Sequence, residues 1–303
     1  MKVAVLGAAG RMGKWFVRYF VGKGYAVSVS DIKRDELETL SKNYGVKIAR
    51  DNLEAVRDAE LVVVSVPLNK TAEILLETIP NMKKGSIILE IASLKSGIVN
   101  VLKESSKFSV KAISLHPLFG PLWKMRERFA LIPVLNAKKE LATARKLFPN
   151  AQIIVVDAEK HDRLMAITLS LTYFVNTALA LTIKDEDFKA LKKLSGTTFK
   201  LQQILLGSIA MQKSDFHVYL HMTNKYALQY LEKFVSNARR LKKLIHCRDA
   251  ESFKNVCGEI GRNLSKHLDL AEMYEKMYTI LEVVESERSE PRSVKAMRIS
   301  DVK

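Results

Sequence analysis

Short apolar runs alternate with stretches of helical spacing along the first half of the chain. Continuous runs of Val, Ile, Leu and Ala are typical of buried strands, whereas apolar residues three and four positions apart indicate amphipathic helices. The strand-like runs are 2–6, 26–30, 61–66, 86–91, 110–115, 131–135 and 153–157, and the helical stretches are 12–21, 53–58 and 71–78. This alternation predicts a parallel, doubly wound sheet of the Rossmann type. Because proline cannot donate a ladder hydrogen bond, Pro133 predicts an edge position for the strand at 131–135.

The second half has a different pattern, made of long helices without intervening strands. Apolar residues recur at helical spacing over 162–181, 199–211, 216–244 and 252–284. Helices of this length and apolarity commonly bury one face against another subunit, which predicts an all-α dimerisation domain. The chain therefore divides into a sheet domain at 1–157, a helical domain at 158–286 and a charged segment at 287–303. That last segment is either a tail or the start of a further domain.

Composition adds the expected class and compartment. The 303 residues are 48% hydrophobic and 8% aromatic, which is typical of a globular protein with a substantial core. The stretch 167–183 contains Thr, Ser and Asn and is too short or too polar to predict a membrane span. Met1 leads directly into a strand pattern, and the two cysteines predict neither a disulfide framework nor a zinc site. We therefore expect a cytoplasmic protein that does not contact a membrane.

The net charge of +16 raises the question of a nucleic-acid partner. The basic residues are spread along the chain, and no stretch has the interleaved aromatic residues of an RNA-binding sheet. A positive field equally suits small anionic ligands. The charge pattern therefore argues against nucleic acid as the partner.

Three glycines follow the first strand in the order G-x-x-G-x-x-G and precede the first helix, which is the context of a dinucleotide-binding loop. Gly7 makes the tight turn, Gly10 lets the backbone approach a pyrophosphate, and Gly13 allows close packing of helix and strand. The N-terminus of the helix supplies N–H groups to the phosphates. The predicted cofactor-binding residues in and around this loop and at the end of the strand at 61–66 are Gly7, Ala9, Gly10, Arg11, Met12, Gly13, Asp31, Ser65, Val66 and Pro67.

Asp31 ends the second strand, 18 positions beyond Gly13. A carboxylate there accepts hydrogen bonds from the adenosine ribose and repels a 2′-phosphate, so it favours NAD over NADP. Lys33 and Arg34 follow closely and keep NADP open as the alternative. Asp31 also has a structural alternative as a turn or helix-capping residue.

Two further strands direct polar residues towards the same edge of the predicted sheet. His116 is expected in a loop just after the strand at 110–115, where Pro117 disfavours a helix. Ser93 and Lys95 follow the strand at 86–91. We predict His116 and Ser93 as catalytic residues, with Ser93 bound to the imidazole or to the substrate. Lys95 is predicted to hold either a substrate anion or a structural carboxylate such as Glu90.

These residues carry a family resemblance. Glu-Ile-Ala-Ser-Leu-Lys at 90–95 and His-Pro-Leu-Phe-Gly-Pro at 116–121, behind a glycine fingerprint, are similar to the motifs of the prephenate dehydrogenases of tyrosine biosynthesis. Glu-Lys-His-Asp at 159–162 resembles the segment that opens the helical domain of that family. The resemblance implies a helical dimerisation domain beside the cofactor domain. In this family, fusion to a chorismate mutase domain also occurs.

The resemblance implies NAD-dependent oxidative decarboxylation of prephenate to 4-hydroxyphenylpyruvate, with neutral His116 as the base at the 4-hydroxyl. An arogenate dehydrogenase, which gives tyrosine directly, is the nearest alternative. A catalytically silent NAD-sensing or nucleic-acid-binding protein on the same scaffold is another, because two positions that contact prephenate in the family are altered here. Tyr173 stands at a histidine position and Ser208 at an arginine position.

The binding of substrate is therefore expected to involve other side chains. Lys200 lies where a basic residue is common in the family, and Lys124 and Arg126 follow Pro121. Together with Lys95 and Tyr173, these are the predicted substrate-binding residues. His217 and His221 are four positions apart, but no third ligand accompanies them, so the sequence predicts no metal site.

Overall fold

The computed structural model describes residues 1–122 and 125–289, which form two compact units. The first unit contains Met1–Ala166 together with Val218–Asn224. The second contains Ile167–His217 and the described residues from Lys225 onward.

The first unit is built on one eight-stranded sheet. Its strands are β1 (Lys2–Leu6), β2 (Ala26–Ser30), β3 (Lys47–Ile48), β4 (Leu61–Val64), β5 (Ile87–Glu90), β6 (Lys111–Pro117), β7 (Arg128–Ile132) and β8 (Gln152–Val155). The order across the sheet is β3-β2-β1-β4-β5-β6-β7-β8. The first six strands are mutually parallel, so the carboxyl ends of β1, β4, β5 and β6 lie at one edge. The predicted Rossmann-type fold is confirmed.

Two details of the sheet differ from the sequence-based prediction. β7 runs antiparallel to β6 and parallel to β8, so the sheet is mixed rather than wholly parallel. The edge position predicted from Pro133 is wrong, because β7 lies between β6 and β8. The strand ends at Ile132, so Pro133 follows the ladder and interrupts no hydrogen bond.

Helices cover both faces of this sheet. They are α1 (Arg11–Gly22), α2 (Arg34–Tyr44), α3 (Asn52–Arg57), α4 (Leu68–Thr78), α5 (Ile98–Lys103), α6 (Ala137–Leu147) and α7 (Ala158–Met165). One core cluster is rich in aromatic rings, with Phe16 and Phe20 of α1 close to Phe148 and the Phe129 and Phe148 centroids 4.7 Å apart. A second cluster contains Val62 and Leu75. Each such fully buried side chain contributes about 1.5–3 kcal/mol, so the glycine-bearing loop rests on a firmly packed base.

All regular elements described in the second unit are helical. α8 (Thr172–Ile183) is joined to α7 by a π-helical stretch, Ala166–Leu171, and α11 is shared between the units. The remaining helices are α9 (Phe188–Leu194), α10 (Thr197–Ala210), α11 (Ser214–Met222), α12 (Ala227–His246), α13 (Ala250–Leu264) and α14 (Leu270–Ser289).

Two helices predicted as continuous are each divided in two. The stretch 216–244 breaks between α11 and α12, where the Asn224 side chain donates to the backbone oxygen of Asp162 at 2.8 Å. The stretch 252–284 breaks between α13 and α14, where Asp269 accepts the N–H groups of Ala271 and Glu272 at 3.0 Å. Polar side chains that bond to the backbone compete with helical hydrogen bonds, and apolar spacing does not record that competition.

The continuous helix Ala158–Ile183 is long and apolar enough to cross a membrane by length and composition. This differs from the expectation that 167–183 is too short or too polar, because the helix begins earlier, at Ala158. Its first turns carry His161 and Asp162, which are buried and hydrogen-bonded within the first unit. Core helices of soluble proteins have the same length and composition, so this feature assigns no membrane role.

Candidate active site

The glycine-rich loop between β1 and α1 packs too tightly for side chains at two positions. Gly7 has φ +76°, and a Cβ there would lie 2.4 Å from the backbone oxygen of Ser65. A Cβ on Gly13 would lie 2.1 Å from the backbone oxygen of Gly7. Gly10 is more open, with its nearest neighbour 3.2 Å from the added carbon. The loop therefore holds the start of α1 against β1, as the dinucleotide motif requires.

The N-terminus of α1 suits a phosphate group. Gly10 is the N-cap and makes no side-chain cap hydrogen bond, and the first turn has no acidic residue. Arg11 and Met12 form the start of this helix, and Met12 packs in part against the core. Free N–H groups at a helix N-terminus bind anions, so a dinucleotide pyrophosphate fits this end of the helix.

Asp31 lies beside the same loop. Its Oδ2 accepts the N–H of Ala9 at 3.0 Å, and its Oδ1 accepts the N–H of Lys33 at 3.0 Å. Each carboxylate oxygen has a second lone pair for a ribose hydroxyl. The turn role and the ribose role considered for Asp31 are therefore compatible. Ser65 and Val66 follow β4, and Pro67 is the N-cap of α4, so all three lie at this edge of the sheet.

His116 lies inside β6 rather than in a loop. It pairs with Ala130 of the antiparallel strand β7, and Pro117 is the last residue of β6. The predicted strand at 110–115 ended too early because pairing with β7 carries the ladder on to Pro117. The His116 side chain is 6% exposed.

The two ring nitrogens of His116 have different surroundings. Nδ1 lies 3.0 Å from Nε2 of His161, whose own Nδ1 lies 2.9 Å from Oδ1 of Asp162. Within the described part of the chain, Nε2 of His116 has no hydrogen-bond partner, and it is not among the fully enclosed unsatisfied atoms. The arrangement leaves this nitrogen available to a ligand.

Asp162 is held by several donors. Its carboxylate accepts the N–H of Lys95 at 2.9 Å, the N–H of Ser96 at 2.8 Å and the hydroxyl of Ser96 at 2.6 Å. Burial alone would raise its pKa, but the hydrogen bonds from His161, Ser96 and Lys95 outweigh burial and hold the pKa below its usual value. Asp162 is therefore ionised at neutral pH.

Lys95 and Glu90 form a second buried pair, with Glu90 at the end of β5 and Lys95 in the loop that follows it. The Lys95 ammonium donates to Oε1 of Glu90 at 2.6 Å and to the backbone oxygen of Leu115 at 2.8 Å, and both side chains are fully buried. Glu90 also accepts the hydroxyl of Ser114 and the N–H of Ala92. Burial lowers the pKa of Lys95, while Glu90 opposes this shift.

Lys95 therefore has the structural role that the sequence offered as one of two alternatives. Its ammonium lies at 0% exposure against Glu90, so it does not reach a substrate anion in this structure. Its influence on the site is electrostatic. Burial is the main cause that lowers the pKa of His116 well below 6.5, and the charges of Lys95 and His161 add to it against Asp162. His116 is therefore neutral at pH 7.

The remaining predicted residues have varied settings. Ser93 is half-buried in the loop after β5, and its hydroxyl makes no hydrogen bond within the described residues. Arg126 donates from Nε to the backbone oxygen of Asn150 at 2.8 Å, and Lys124 lies outside the described residues.

Tyr173 and Lys200 belong to the second unit. Tyr173 packs its ring 5.4 Å from that of His217 and 5.6 Å from that of Phe216, and Lys200 pairs with Glu285 at 3.3 Å. Among the residues that the structure describes, no group of three or more His, Cys, Asp or Glu is arranged to hold a metal ion.

His161, Asp162 and Ser96 were missed as functional residues. The resemblance noted the segment at 159–162 but gave it no chemical role. His161 and Asp162 both stand in a run of five charged or polar residues, 159–163, so polarity alone does not single them out. The contact of His161 with His116 joins residues 45 positions apart in sequence, which spacing alone does not predict.

Two family models match the chain. Residues 16–125 match "Prephenate dehydrogenase, nucleotide-binding domain", and residues 157–259 match "Prephenate dehydrogenase, dimerization domain". Together the two matches cover more than half of the chain.

Individual relatives are more distant. A protein of Methanocaldococcus jannaschii named "Probable arogenate/prephenate dehydrogenase" is 27% identical over 271 residues, which is 87% of this chain and 61% of that protein. The chain thus spans less than two thirds of that relative.

Solved structures share the fold at low identity. Prephenate dehydrogenase from A. aeolicus, in complex with hydroxyphenyl propionate and NAD+, has a TM-score of 0.69 at 17% identity and covers 88% of this chain and 98% of its own. Synechocystis arogenate dehydrogenase has a TM-score of 0.66 at 17% identity, with coverage of 88% and 100%.

Proposed function

The chain belongs to the prephenate dehydrogenase family, and we propose that it uses NAD to convert prephenate to 4-hydroxyphenylpyruvate and carbon dioxide. The observation that carries this proposal is the neutral, buried His116, whose Nε2 has no hydrogen-bond partner within the described residues. It lies near the carboxyl end of β6, at the sheet edge that also carries the glycine-rich loop. A base beside a nicotinamide is what oxidation of an alcohol requires.

In the proposed reaction, Nε2 of His116 accepts the proton of the 4-hydroxyl as C4 becomes a carbonyl carbon. Bound NAD supplies the acceptor for the hydride that leaves C4. Loss of the ring carboxylate as carbon dioxide then makes the ring aromatic, with the electron pair passing to the C4 oxygen, which takes the proton back from Nε2 of His116. His116 suits the proton-accepting role because a neutral imidazole accepts a proton from a hydroxyl without first losing one.

Ser93 is proposed to bind the same substrate oxygen through its hydroxyl. The side-chain carboxylate of the substrate is proposed to bind a cation, for which the sequence offers Lys200, Lys124 and Arg126. The ring carboxylate is expected to have no strong cationic partner, because stabilising it in the ground state would oppose decarboxylation.

NAD is the proposed cofactor in preference to NADP. The Asp31 carboxylate would repel a 2′-phosphate, and Arg34 donates to the backbone oxygen of Ala49 at 2.8 Å and to that of Arg50. An arginine held by backbone carbonyls is a poor partner for a phosphate, which leaves Lys33 as the nearby cation. We expect Asp31→Ser to lower the ratio of kcat/KM with NAD to kcat/KM with NADP about tenfold. An unchanged ratio would contradict the role of Asp31.

A homodimer through the second unit is also proposed. Large apolar side chains there are exposed in the single chain, including Leu181 at 63%, Leu228 at 65% and Ile245 at 64%. Exposed apolar surface of this kind marks association sites. Light scattering of the purified chain is expected to give twice the mass of one chain, and a monomer at micromolar concentration would contradict this proposal.

Arogenate is the second candidate substrate, because both substrate names occur among the relatives and solved structures. The test is to follow NADH absorbance with NAD and either prephenate or arogenate, and to identify the product. We expect turnover with prephenate and formation of 4-hydroxyphenylpyruvate. Turnover with arogenate alone would keep the chemistry and change the substrate. Folded protein that binds NAD but oxidises neither would overturn the proposed function.

A further inference from the structure

We propose that His161 and Asp162 are positioning residues that fix the tautomer of His116, so that its Nδ1 carries the proton and its Nε2 is the acceptor. The identity of the hydroxyl that gives its proton to Nε2 rests on the proposed function. The tautomer itself follows from the contacts of the three side chains. Neither family resemblance nor sequence spacing gave a role to His161.

The assignment starts at the carboxylate. Asp162 accepts two backbone N–H groups and the Ser96 hydroxyl, and an ionised carboxylate has no proton to donate. The atom of His161 facing it, Nδ1 at 2.9 Å, must therefore be the donor. A neutral imidazole carries one proton, so Nε2 of His161 is left as an acceptor.

The contact between His161 and His116 then has its donor and acceptor fixed by the contact with Asp162. Nε2 of His161 and Nδ1 of His116 are 3.0 Å apart, and a hydrogen bond between them needs one proton. Because Nε2 of His161 has none, Nδ1 of His116 must supply it. The remaining nitrogen of His116 then carries a lone pair, as a base requires. An extra proton on His161 would reverse the order and turn Nε2 of His116 into a donor.

Burial, together with the charges of Lys95 and His161, favours the neutral form of His116. Lys95 is the nearby cation, and its charge is balanced by Glu90 at 2.6 Å. Asp162 also acts on His116 by its charge, and it contacts His161 rather than His116. When the substrate O–H bond breaks and the Nε2–H bond forms, the new positive charge lies on His116. Moving its Nδ1 proton to Nε2 of His161 would place that charge beside the Asp162 carboxylate.

Two substitutions at one position separate the tautomer role from a packing role. In His161→Asn the short amide reaches the position of Nδ1, so it keeps a donor for Asp162 but leaves Nδ1 of His116 without an acceptor. In His161→Gln the longer amide reaches the position of Nε2, and its carbonyl restores that acceptor. His267→Asn, at an exposed histidine outside the site, is the matched control.

We expect His161→Asn to lower kcat about 100-fold with KM for the substrate changed less than about threefold, because orientation of the base rather than binding is lost. His161→Gln is expected to retain kcat within about tenfold of the parent protein. The loss in His161→Asn is expected to persist as the pH is raised, because a tautomer ratio does not depend on pH. Parental kcat in His161→Asn, equal losses in both variants, or recovery at high pH would overturn the proposal.

A second measurement needs neither turnover nor a variant at His161. Imidazole 15N shifts of the parent protein at neutral pH report which ring nitrogen carries the proton, and the loss of signals in His116→Asn assigns those of His116. We expect a protonated Nδ1 and an unprotonated Nε2. A proton on Nε2 would overturn the proposal. If the protein oxidised neither substrate, the proposed function would fail while this result would still decide the tautomer.

Discussion

The nucleotide loop and the histidine–aspartate chain occupy the same edge of one sheet but are built in different ways. The loop after β1 depends on backbone atoms, and its requirement is the absence of side chains at Gly7 and Gly13. The chain of His116, His161 and Asp162 depends on side chains from two elements, and its requirement is a continuous set of donors and acceptors. A contiguous backbone motif is visible in the sequence, whereas a side-chain network appears only when the chain is folded.

The largest effect on stability is expected from breaking the buried ion pair of Lys95 and Glu90. Lys95→Met leaves the Glu90 carboxylate buried without its cation, which is expected to lower the free energy of unfolding by about 3–5 kcal/mol. Urea denaturation measures this change.

Two comparisons sharpen that measurement. The double variant Lys95→Met with Glu90→Gln is expected to recover part of the loss, since no unpaired charge remains. Lys107→Met, which removes an exposed lysine paired with Glu104, is expected to change stability little. A small effect of Lys95→Met alone on the free energy of unfolding would contradict the structural role of the buried pair.

A smaller effect on stability is expected from a substitution in the glycine-rich loop. Gly13→Ala adds a carbon 2.1 Å from the backbone oxygen of Gly7, so the loop must move. We expect a loss of about 1–3 kcal/mol in stability and at least about tenfold in NAD affinity, measured by calorimetry. Gly22→Ala is the matched control, because it lies on the same helix with nothing within 4 Å of the added carbon. Equal NAD affinity in both variants would contradict the role of Gly13.

The smallest effect is the dependence of stability on pH that His116 causes. Burial lowers the pKa of His116 in the folded protein, so below about pH 6.5 the unfolded chain binds a proton that the folded chain does not. Stability is therefore complete above the unfolded pKa and falls as the pH drops towards the folded pKa. One such group contributes up to about 1.4 kcal/mol per pH unit.

The corresponding measurement is urea denaturation between pH 7.5 and pH 5. His116→Asn is expected to have a shallower loss of stability over this interval than the parent protein. His267→Asn, at an exposed histidine, is expected to keep the parental slope. A parental slope in His116→Asn would mean that His116 titrates alike in the folded and unfolded states.

The same contrast explains what the sequence predicts. Gly7, Gly10 and Gly13 span the turn after a strand and the start of the next helix, so their function follows from local context. The Rossmann-type sheet follows from the alternation of apolar runs. The antiparallel β7 was not predicted, because strand direction depends on which strands become neighbours. The edge position inferred from Pro133 was wrong, because Pro133 follows the last residue of β7 and does not lie within the strand.

The histidine–aspartate chain was only half predicted. His116 and Ser93 follow from strand ends and from the family resemblance, but the function of His161 depends on a contact with a residue 45 positions away. Lys95 had two readings, and only its full burial against Glu90 distinguishes them. The break before α12 was missed because Asn224 bonds to Asp162, a long-range contact that apolar spacing does not encode.

The most direct test of the account compares the parent protein with His116→Asn. NADH formation is followed at saturating NAD and substrate, and the affinities for both ligands are measured separately by calorimetry. We expect kcat to fall about 10³-fold while the two dissociation constants change less than about threefold, because the substitution removes the proton acceptor and little of the binding surface. A kcat within a few fold of the parent value would contradict the assignment of His116 as the base.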